Sequence, residues 1–254
     1  TVINALNTLA QQGSQEARNI LTAVAIEQKV PIDDSVRDNI AKLIRDLAYE
    51  KKDSQSLAAL AELIFSDKIS DDRKFDPNEA AGNQSNKPYK LINALLYLVS
   101  QKGTTGLSSQ VRQEAIDVLA RILQHKNLLR DKAIESTVRV TVLQYLTQNI
   151  KDAAIRPILD NLTPYFKETL LAKAQRGSNS ENEAGAVINA LNALAQQGSA
   201  EARNILTAVA VEQKMPIDDN LRSEVIAPLI RDLAYEKKDS QSIAALAELI
   251  FSDK

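Results

Sequence analysis

The sequence predicts an all-α protein, built as a right-handed α-solenoid of stacked antiparallel helical hairpins. The first observation is an internal repeat: VINALNTLAQQGSQEARNIL from Val2 returns from Val187 as VINALNALAQQGSAEARNIL. The second is apolar spacing of three and four residues, with no alternation long enough to predict a strand. Because each repeated hairpin leaves an apolar face bare, neighbouring repeats must stack to cover it, which is the physical basis of a solenoid.

The first half-unit, residues 1–68, predicts four helices. Gly13 ends the first helix, and the pair Asp33 and Asp34 opens the third as N-cap residues. The third helix carries an apolar stripe at helical spacing, namely Val36, Ile40, Leu43 and Leu47. The fourth carries a similar stripe, namely Leu57, Leu60, Ala61 and Ile64. These stripes indicate amphipathic helices that pack through one face.

The remaining chain predicts a second, divergent half-unit and a third that is nearly identical to the first. Residues 69–88 are polar and rich in helix breakers, and they predict an exposed junction loop, with a flexible domain linker as the alternative. The divergent half-unit of helical hairpins covers 89–176, where LINALLYLVSQKG from Leu91 resembles VINALNTLAQQG. A second junction loop is predicted at 177–185, and the near-identical copy covers 186–254. The chain begins inside a predicted helix, so we expect it to be a piece of a longer array.

Composition restricts the possible functions. The 254 residues include 31 basic and 33 acidic side chains, so no strong global charge attracts nucleic acid or an anionic membrane. No cysteine is present and His125 is the single histidine, which argues against disulfides, thiolate chemistry and zinc-type clusters. The absence of cysteine is compatible with a reducing compartment and favours the cytoplasm. No apolar run is long enough to predict a membrane-spanning helix.

One helix resembles a known repeat family. QVRQEAIDVLARIL from Gln110 places Val111, Arg112, Ala115 and Leu119 in the V-R-x-x-A-x-x-x-L arrangement that is similar to the second helix of HEAT repeats. SVRDNIAKL from Ser35 and TVRVTVLQYL from Thr137 carry the same Val-Arg pair. The chain therefore resembles the HEAT and armadillo-like α-solenoid class. The resemblance implies that the Arg of each pair bonds an acidic residue near the preceding turn, as Asp33 or Asp34 could do for Arg37, and Asp218 or Asp219 for Arg222.

The resemblance also implies a non-catalytic scaffold or adaptor that presents a concave helical surface to a protein or peptide. The candidate partner-binding residues lie off or at the edge of their apolar stripes, namely Arg18, Arg112, Arg121 and Arg203. No catalytic, cofactor-binding or metal-binding residue is predicted. The partner's identity and the oligomeric state stay open.

Three alternatives remain. The near-identical ends suggest a purely architectural repeat protein, or a designed or truncated array. A nucleic-acid-binding protein would use a local basic strip of Arg112, Arg121, Lys126 and Arg130, although acidic residues are interleaved and no aromatic platform accompanies it. A HEAT-like enzyme of the lyase or glycosylase type would need a pocket with convergent acids or an aromatic cage. The paired aspartates are explained more simply as helix caps, and the cap position also explains His125 near a helix end. The recurring asparagines of the INAL motif predict bonds to adjacent turns in preference to ligand contacts, namely Asn4, Asn93 and Asn189.

Overall fold

The structure is a computed structural model, and its described part is all-helical. Helices and short connections account for every described residue and none lies in a strand, which confirms the all-α class. The described residues are 2–27, 32–80, 88–100, 106–173, 181–211 and 227–238, with Ser240, Ile243, Ala244 and Ala247. The chain divides into two compact units, Thr1–Val138 and Arg139–Lys254.

The first unit contains three helical hairpins and two short helices. Its helices are α1 (Val2–Gln11), α2 (Gln15–Ile26), α3 (Asp34–Lys51), α4 (Ser54–Phe65), α5 (Asp71–Lys74), α6 (Pro77–Ala80), α7 (Leu91–Val99) and α8 (Ser109–Gln124). The boundary between the units falls within α9 (Lys132–Gln148). Hairpins α1–α2, α3–α4 and α7–α8 pack in sequence order, with α4 between α2 and α8, and α3 against α7. The second helices of the three hairpins therefore lie side by side.

The turn between α1 and α2 shows why the sequence ends a helix there. Gly13 has φ 103°, a left-handed conformation that costs glycine little because it has no Cβ. The backbone N–H groups of Gly13 and Ser14 donate to the carbonyls of Ala10 and Leu9 at 3.1 and 2.9 Å, which satisfies the end of α1. The Ser14 hydroxyl then accepts from the Ala17 N–H at 3.2 Å and caps α2. The predicted end of the first helix at Gly13 is confirmed.

The predicted stripes differ in how well they are buried. All four apolar residues on α4 are at most 6% exposed, which confirms that stripe. On α3, Ile40 and Leu47 are buried, whereas Val36 and Leu43 are half-buried and line an open hollow between α1 and α3. Ile44 at 0% exposure takes the central core position instead. The packed face of α3 is rotated towards α4 and α7 relative to the predicted stripe.

The segment 69–80 is not the exposed loop that its polar sequence predicts. It forms α5 and α6, and it buries the side chains of Ile69, Lys74 and Phe75 to 2–3% exposure. The Lys74 ammonium donates to the Leu128 carbonyl at 3.0 Å, and burial lowers the pKa of Lys74 despite the nearby carboxylate of Asp71. The expectation of exposure is corrected for this segment because tertiary contacts override its breaker-rich composition; residues 81–87 lie outside the described part.

The second unit contains the repeated copy of the first hairpin. Its helices are α10 (Arg156–Asn161), α11 (Thr163–Lys173), α12 (Glu181–Gln196), α13 (Ala200–Val211) and α14 (Ala227–Lys237). Helix α12 packs against α10, α11, α13 and α14. Because α12 already begins at Glu181, the predicted junction loop 177–185 is corrected over its last five residues, and residues 177–180 lie outside the described part. Gly198 repeats the left-handed turn of Gly13, with φ 95°.

Candidate functional site

An open groove of about 780 Å³ lies on the face formed by α2, α4 and α8 of the first unit. Its floor comes from α4, where Leu57, Ala58 and Ala61 lie along one side of the helix and Phe65 closes the end. Ile26 at the end of α2 and Val118 on α8 add apolar surface. The small alanine side chains leave room between the helices, so the groove exists because α4 presents methyl groups where larger residues would fill the space.

The position of α4 is fixed by its N-terminal cap. Asp53 has an extended backbone, and its carboxylate accepts from the backbone N–H of Ser56 at 2.7 Å. This contact satisfies one of the free amides at the helix start. Lys52, with φ 49° in the left-handed region, turns the chain from α3 into this cap. The short link holds α4 against α3 and aims its alanine face at α8.

The rim of the groove is mostly acidic. Helix α8 contributes Glu114 and Asp117, together with Arg121, at i, i+3 and i+7 spacing that places them on one side of the helix. Glu62 of α4 adds a third carboxylate from the opposite wall. Glu114 and Asp117 accept hydrogen bonds from the side-chain amides of the glutamines one turn earlier, each at 3.0 Å. Three carboxylates and one guanidinium give this surface a net negative charge.

Arg121 is the predicted binding residue that the structure places in the groove. Its guanidinium carbon lies 4.5 Å from the centroid of the Phe65 ring, within cation–π range. The other partner of this ring is His125, whose ring centroid is 5.2 Å from that of Phe65. His125 is the C-terminal cap residue of α8, which confirms its predicted place at a helix end. Arg121 remains exposed, so its guanidinium can contact a bound molecule while it rests on the Phe65 ring.

A second hollow of about 430 Å³ continues the same face towards α2. It shares Ser54, Ala58 and Glu62 with the groove. Its other walls are polar side chains of α2 and α4, including Gln15, Asn19, Thr22 and Gln55. The combined surface therefore grades from an apolar, acidic part at α8 to an amide-rich part at α2, and amides of this kind can bond the backbone of an extended chain.

Arg18 lies beneath this surface in a buried network. It is 4% exposed, and its guanidinium donates to the carboxylate of Asp53 at 3.1 Å and to the Ser56 hydroxyl at 2.6 Å. It also donates to Gln55 Oε1 at 3.2 Å and to the Gly13 carbonyl at 3.3 Å. These contacts tie the α1–α2 turn to the start of α4. The geometry gives Arg18 a structural role beneath the exposed surface.

Hydrogen bonds within this network stabilise the charged form of Asp53. Partial burial by itself would raise the pKa of Asp53, but hydrogen bonds from the Ser56 backbone and hydroxyl, together with the Arg18 guanidinium, outweigh burial and hold the pKa below its ordinary value. Gln55 extends the network, because its amide donates to Gln15 Oε1 at 2.8 Å on the rim of the second hollow. The groove wall and the structural network therefore share residues.

The other two predicted binding arginines lie elsewhere. Arg112 is half-buried near the start of α8, outside the residues that line the groove. Arg203, the sequence equivalent of Arg18, is half-buried on α13 in the second unit and donates to the Gly198 carbonyl at 3.3 Å. The counterpart of Asp53 is Asp239, which lies outside the described residues. The structure thus brings one of the four predicted arginines, Arg121, to the groove.

The arginines of two Val-Arg pairs lie close to acidic side chains. Arg37 lies 4.0 Å from the Asp34 carboxylate and also donates to the Ala25 carbonyl at the end of α2. Asp33 caps α3 by accepting from the Val36 N–H at 2.8 Å. Arg222 and the pair Asp218 and Asp219 lie outside the described residues. In the second unit, Arg139 of α9 lies 3.9 Å from the buried carboxylate of Glu183 on α12, a partner that the sequence did not reveal.

The asparagines of the INAL motif differ in how deeply they are buried. Asn93 is 2% exposed, and its side-chain amide donates to the Asp76 carbonyl at 2.7 Å while its Oδ1 accepts from the Asp76 N–H at 3.3 Å. It therefore bonds an adjacent turn, as predicted. Asn4 and Asn189 are exposed on α1 and α12. A buried location, which depends on the neighbouring helices, decides which copy acts as a structural bridge.

Known chemistry and known proteins give no further assignment. Within the described residues, no three His, Asp or Glu side chains converge as metal ligands, and no helix is both long and apolar enough to cross a membrane. No family model matches the chain, and no curated protein or solved structure matches it significantly.

The sequence did not predict the acidic rim, because the candidate binding residues that it indicated were all arginines. The spacing of Glu114, Asp117 and Arg121 does place them on one face of α8, opposite the buried stripe of that helix. What the sequence lacks is the information that this face lies across from Glu62 and the alanines of α4.

Proposed function

We propose that the chain is a non-catalytic α-solenoid of HEAT-like hairpins that binds a protein or peptide segment in the groove of α2, α4 and α8. The observation that carries the proposal is a shallow apolar floor bordered by Glu62, Glu114 and Asp117. The sequence repeat and the ordered packing of hairpins within the first unit support the solenoid part. Second helices lined up side by side give the elongated surface that such scaffolds use.

The chemistry of the groove favours a peptide with aliphatic and basic side chains. Aliphatic groups would fill the space over Ala58 and Ala61. Contact with these methyl-lined walls removes apolar surface from water, which favours binding. Lysine or arginine side chains would meet the three carboxylates, which improves specificity and association rate more than affinity. Arg121 supplies one donor pair for a peptide carbonyl or carboxylate. Nucleic acid is disfavoured here because its phosphates would face the same carboxylates.

Catalysis is left out of the proposal. Glu114 and Asp117 accept hydrogen bonds from Gln110 and Gln113 of their own helix, an arrangement typical of a solvated helix surface. The groove is wide and open, whereas a lyase or glycosylase site excludes water around its reacting groups.

The test is a random-peptide library selected against the full chain, followed by affinity measurements on the enriched peptides. Ala58→Arg places a long side chain across the floor without disturbing the core, because Ala58 is exposed on α4. The matched control is Ala133→Arg, the same substitution at an exposed alanine of α9 in the same unit. We expect enriched peptides to bind the wild type and Ala133→Arg equally, and Ala58→Arg at least about tenfold more weakly, or about 1.4 kcal/mol.

Charge reversal tests the recognised chemistry. In the double variant Glu62→Lys with Asp117→Lys, basic peptides should lose affinity, and the loss should shrink at high salt. Peptide binding that Ala58→Arg leaves unchanged would remove the groove as the site. Salt-sensitive oligonucleotide binding that Arg112→Glu and Arg121→Glu abolish would instead establish the nucleic-acid alternative.

A further inference from the structure

Two exposed glutamines in the second hollow are joined by a hydrogen bond. The side-chain amide of Gln55, near the start of α4, donates to Gln15 Oε1 at 2.8 Å. Gln15 is the first residue of α2, and both side chains line the hollow of about 430 Å³. Helices α2 and α4 pack on each other, so this pair lies at a joint whose two sides both belong to the first unit.

The buried arginine beneath the hollow fixes the direction of this bond. The Arg18 guanidinium donates to Gln55 Oε1 at 3.2 Å, and a guanidinium has donors only. Gln55 therefore turns its oxygen towards Arg18 and its NH2 group towards Gln15. Because the Gln15 oxygen accepts from that group, the NH2 group of Gln15 is left for other partners. Among the described residues, no acceptor takes its hydrogens.

The outward polarity of Gln15 is thus determined by a buried charge. A solvated glutamine can rotate its amide by half a turn and offer either the oxygen or the NH2 group. For Gln15, that rotation would bring its NH2 group against the NH2 group of Gln55, and two donors do not bond. Gln15 therefore presents donors in a fixed orientation, which lowers the entropic cost of binding an acceptor.

The second copy of the hairpin shows that the helix start forms without this glutamine. Ala200 stands at the equivalent position, as the first residue of α13. The preceding turn keeps its left-handed glycine, Gly198, and Arg203 donates to the carbonyl of that glycine at 3.3 Å. Arg18 donates to the Gly13 carbonyl at the same distance. The local fold therefore does not require Gln15.

The differences between the two copies favour a role for Gln15 in binding. Residues 2–34 and 43–68 match 187–219 and 229–254 except at five positions, which in the first copy are Thr8, Gln15, Ile26, Val30 and Leu57. Three of these, Gln15, Ile26 and Leu57, line the groove or the second hollow. The copies thus differ mainly where the first copy forms the surface that the proposed function uses.

We propose that Gln15 is a specificity-determining residue, whose NH2 group donates a hydrogen bond to a carbonyl oxygen of the peptide bound in the groove. The inference rests on the proposed function and adds the ligand chemistry at the α2 end. Glu62 lines both the groove and the hollow, and its carboxylate binds a basic side chain of the same peptide. The acceptor is a main-chain carbonyl or the side-chain carbonyl of asparagine or glutamine, which share this chemistry.

Two substitutions of Gln15 test the donor, with peptides selected against the wild type. Gln15→Ala introduces the residue of the second copy and removes the donors. Gln15→Glu keeps the length of the side chain and an acceptor for Gln55, but replaces the NH2 group by an oxygen. We expect each to weaken binding about three- to tenfold, compared at high salt so that the added charge of the glutamate is screened. The control Gln12→Ala removes an exposed glutamine of the same turn that does not line the hollow, and it should bind as the wild type does.

A third variant tests the chain of hydrogen bonds from the buried arginine. In Gln55→Glu, the carboxylate accepts from Arg18 and also from the NH2 group of Gln15, so Gln15 turns its oxygen outwards. Binding should weaken about three- to tenfold although Gln15 itself is unchanged.

Double-mutant cycles distinguish the two sources of the acceptor. If it is a side chain, its replacement by alanine in the peptide should weaken binding to the wild type and have no effect with Gln15→Ala. If it is a main-chain carbonyl, an ester in place of one peptide bond should give that result, because an ester carbonyl accepts more weakly.

Three results would overturn the inference. Peptides that Ala58→Arg weakens but Gln15→Ala leaves unchanged would remove Gln15 from the site while the groove stands. A loss in Gln15→Ala that Gln15→Glu does not share would show that the side chain acts by packing and not as a donor. If no peptide responds to Ala58→Arg, the proposed function and this inference fail together.

Discussion

Substitution of Arg18 by methionine should weaken the joint between the first two hairpins. Methionine keeps the apolar stem but removes the donors to Asp53, Ser56, Gln55 and the Gly13 carbonyl. Breaking a buried ion pair costs roughly 3–5 kcal/mol, but the Asp53 side chain is 40% exposed and water can solvate it. Hydrogen bonds to charged groups are worth about 1.5–3 kcal/mol each, so we expect a net loss of about 2–3 kcal/mol.

Hydrogen exchange followed by mass spectrometry can localise the loss. Because about 1.4 kcal/mol corresponds to a tenfold change in an equilibrium constant, amides of α2 and α4 should exchange about 30- to 150-fold faster in the variant. The matched control is Arg203→Met, the same substitution at the equivalent residue of the second unit. It should leave exchange in α2 and α4 unchanged. Arg18→Met with wild-type exchange in both helices would refute the structural role assigned to the buried network.

The pH dependence supplies a second readout of the same network. The folded-state pKa of Asp53 is below its ordinary value of 3.8, so its contribution to stability is fully present above that value. The contribution disappears as the pH falls through the folded-state pKa, because the protonated acid binds the guanidinium less well. Without Arg18 the folded-state pKa should rise. Urea unfolding measured between neutral pH and pH of about 3 should therefore show a smaller acid-induced decrease in the free energy of unfolding for Arg18→Met than for the wild type.

Two further predictions concern residues that join elements of the first unit. Asn93→Ala removes both bonds to the backbone of Asp76 and should cost about 1–3 kcal/mol, with faster exchange in the segment that contains α6, whereas Asn4→Ala at the equivalent exposed position should cost little. Burial raises the pKa of Tyr49 well above its ordinary range, only partly countered by Arg45, so its contribution to stability is present below pH of about 10 and is lost above it. Tyr49→Phe should therefore reduce the alkaline loss of stability measured by urea unfolding, and an unchanged alkaline loss would contradict the assignment.

The helical class was predictable because its signals are local. Gly13 ends a helix through its own backbone conformation, Asp33 caps the next through its own carboxylate, and the stripe of α4 follows from spacing alone. The same signals failed for residues 69–80. There, polar and breaker-rich residues form two short helices, because tertiary contacts with the rest of the fold bury Lys74 and Phe75.

The candidate site was less predictable because it depends on which faces meet. Arg18 and Arg121 look alike in sequence, since each lies at the edge of an apolar stripe. Arg18 faces the turn before α4 and is consumed by internal hydrogen bonds, whereas Arg121 extends over the exposed side of Phe65. The acidic groove arises from α4 and α8, whose residues are about 50 positions apart in sequence. A contact that closes so long a loop leaves no local pattern in the sequence from which it could be predicted.

The repeated helices separate the effects of sequence and of surroundings more cleanly than any substitution could. Leu9 and Leu194 have the same neighbours in sequence apart from Thr8 and Ala193, yet one is 48% exposed and the other is fully buried. Burial of such a side chain therefore depends on the helices packed against it as well as on the sequence of its own helix. An apolar side chain therefore contributes to stability only where a neighbouring helix removes it from water.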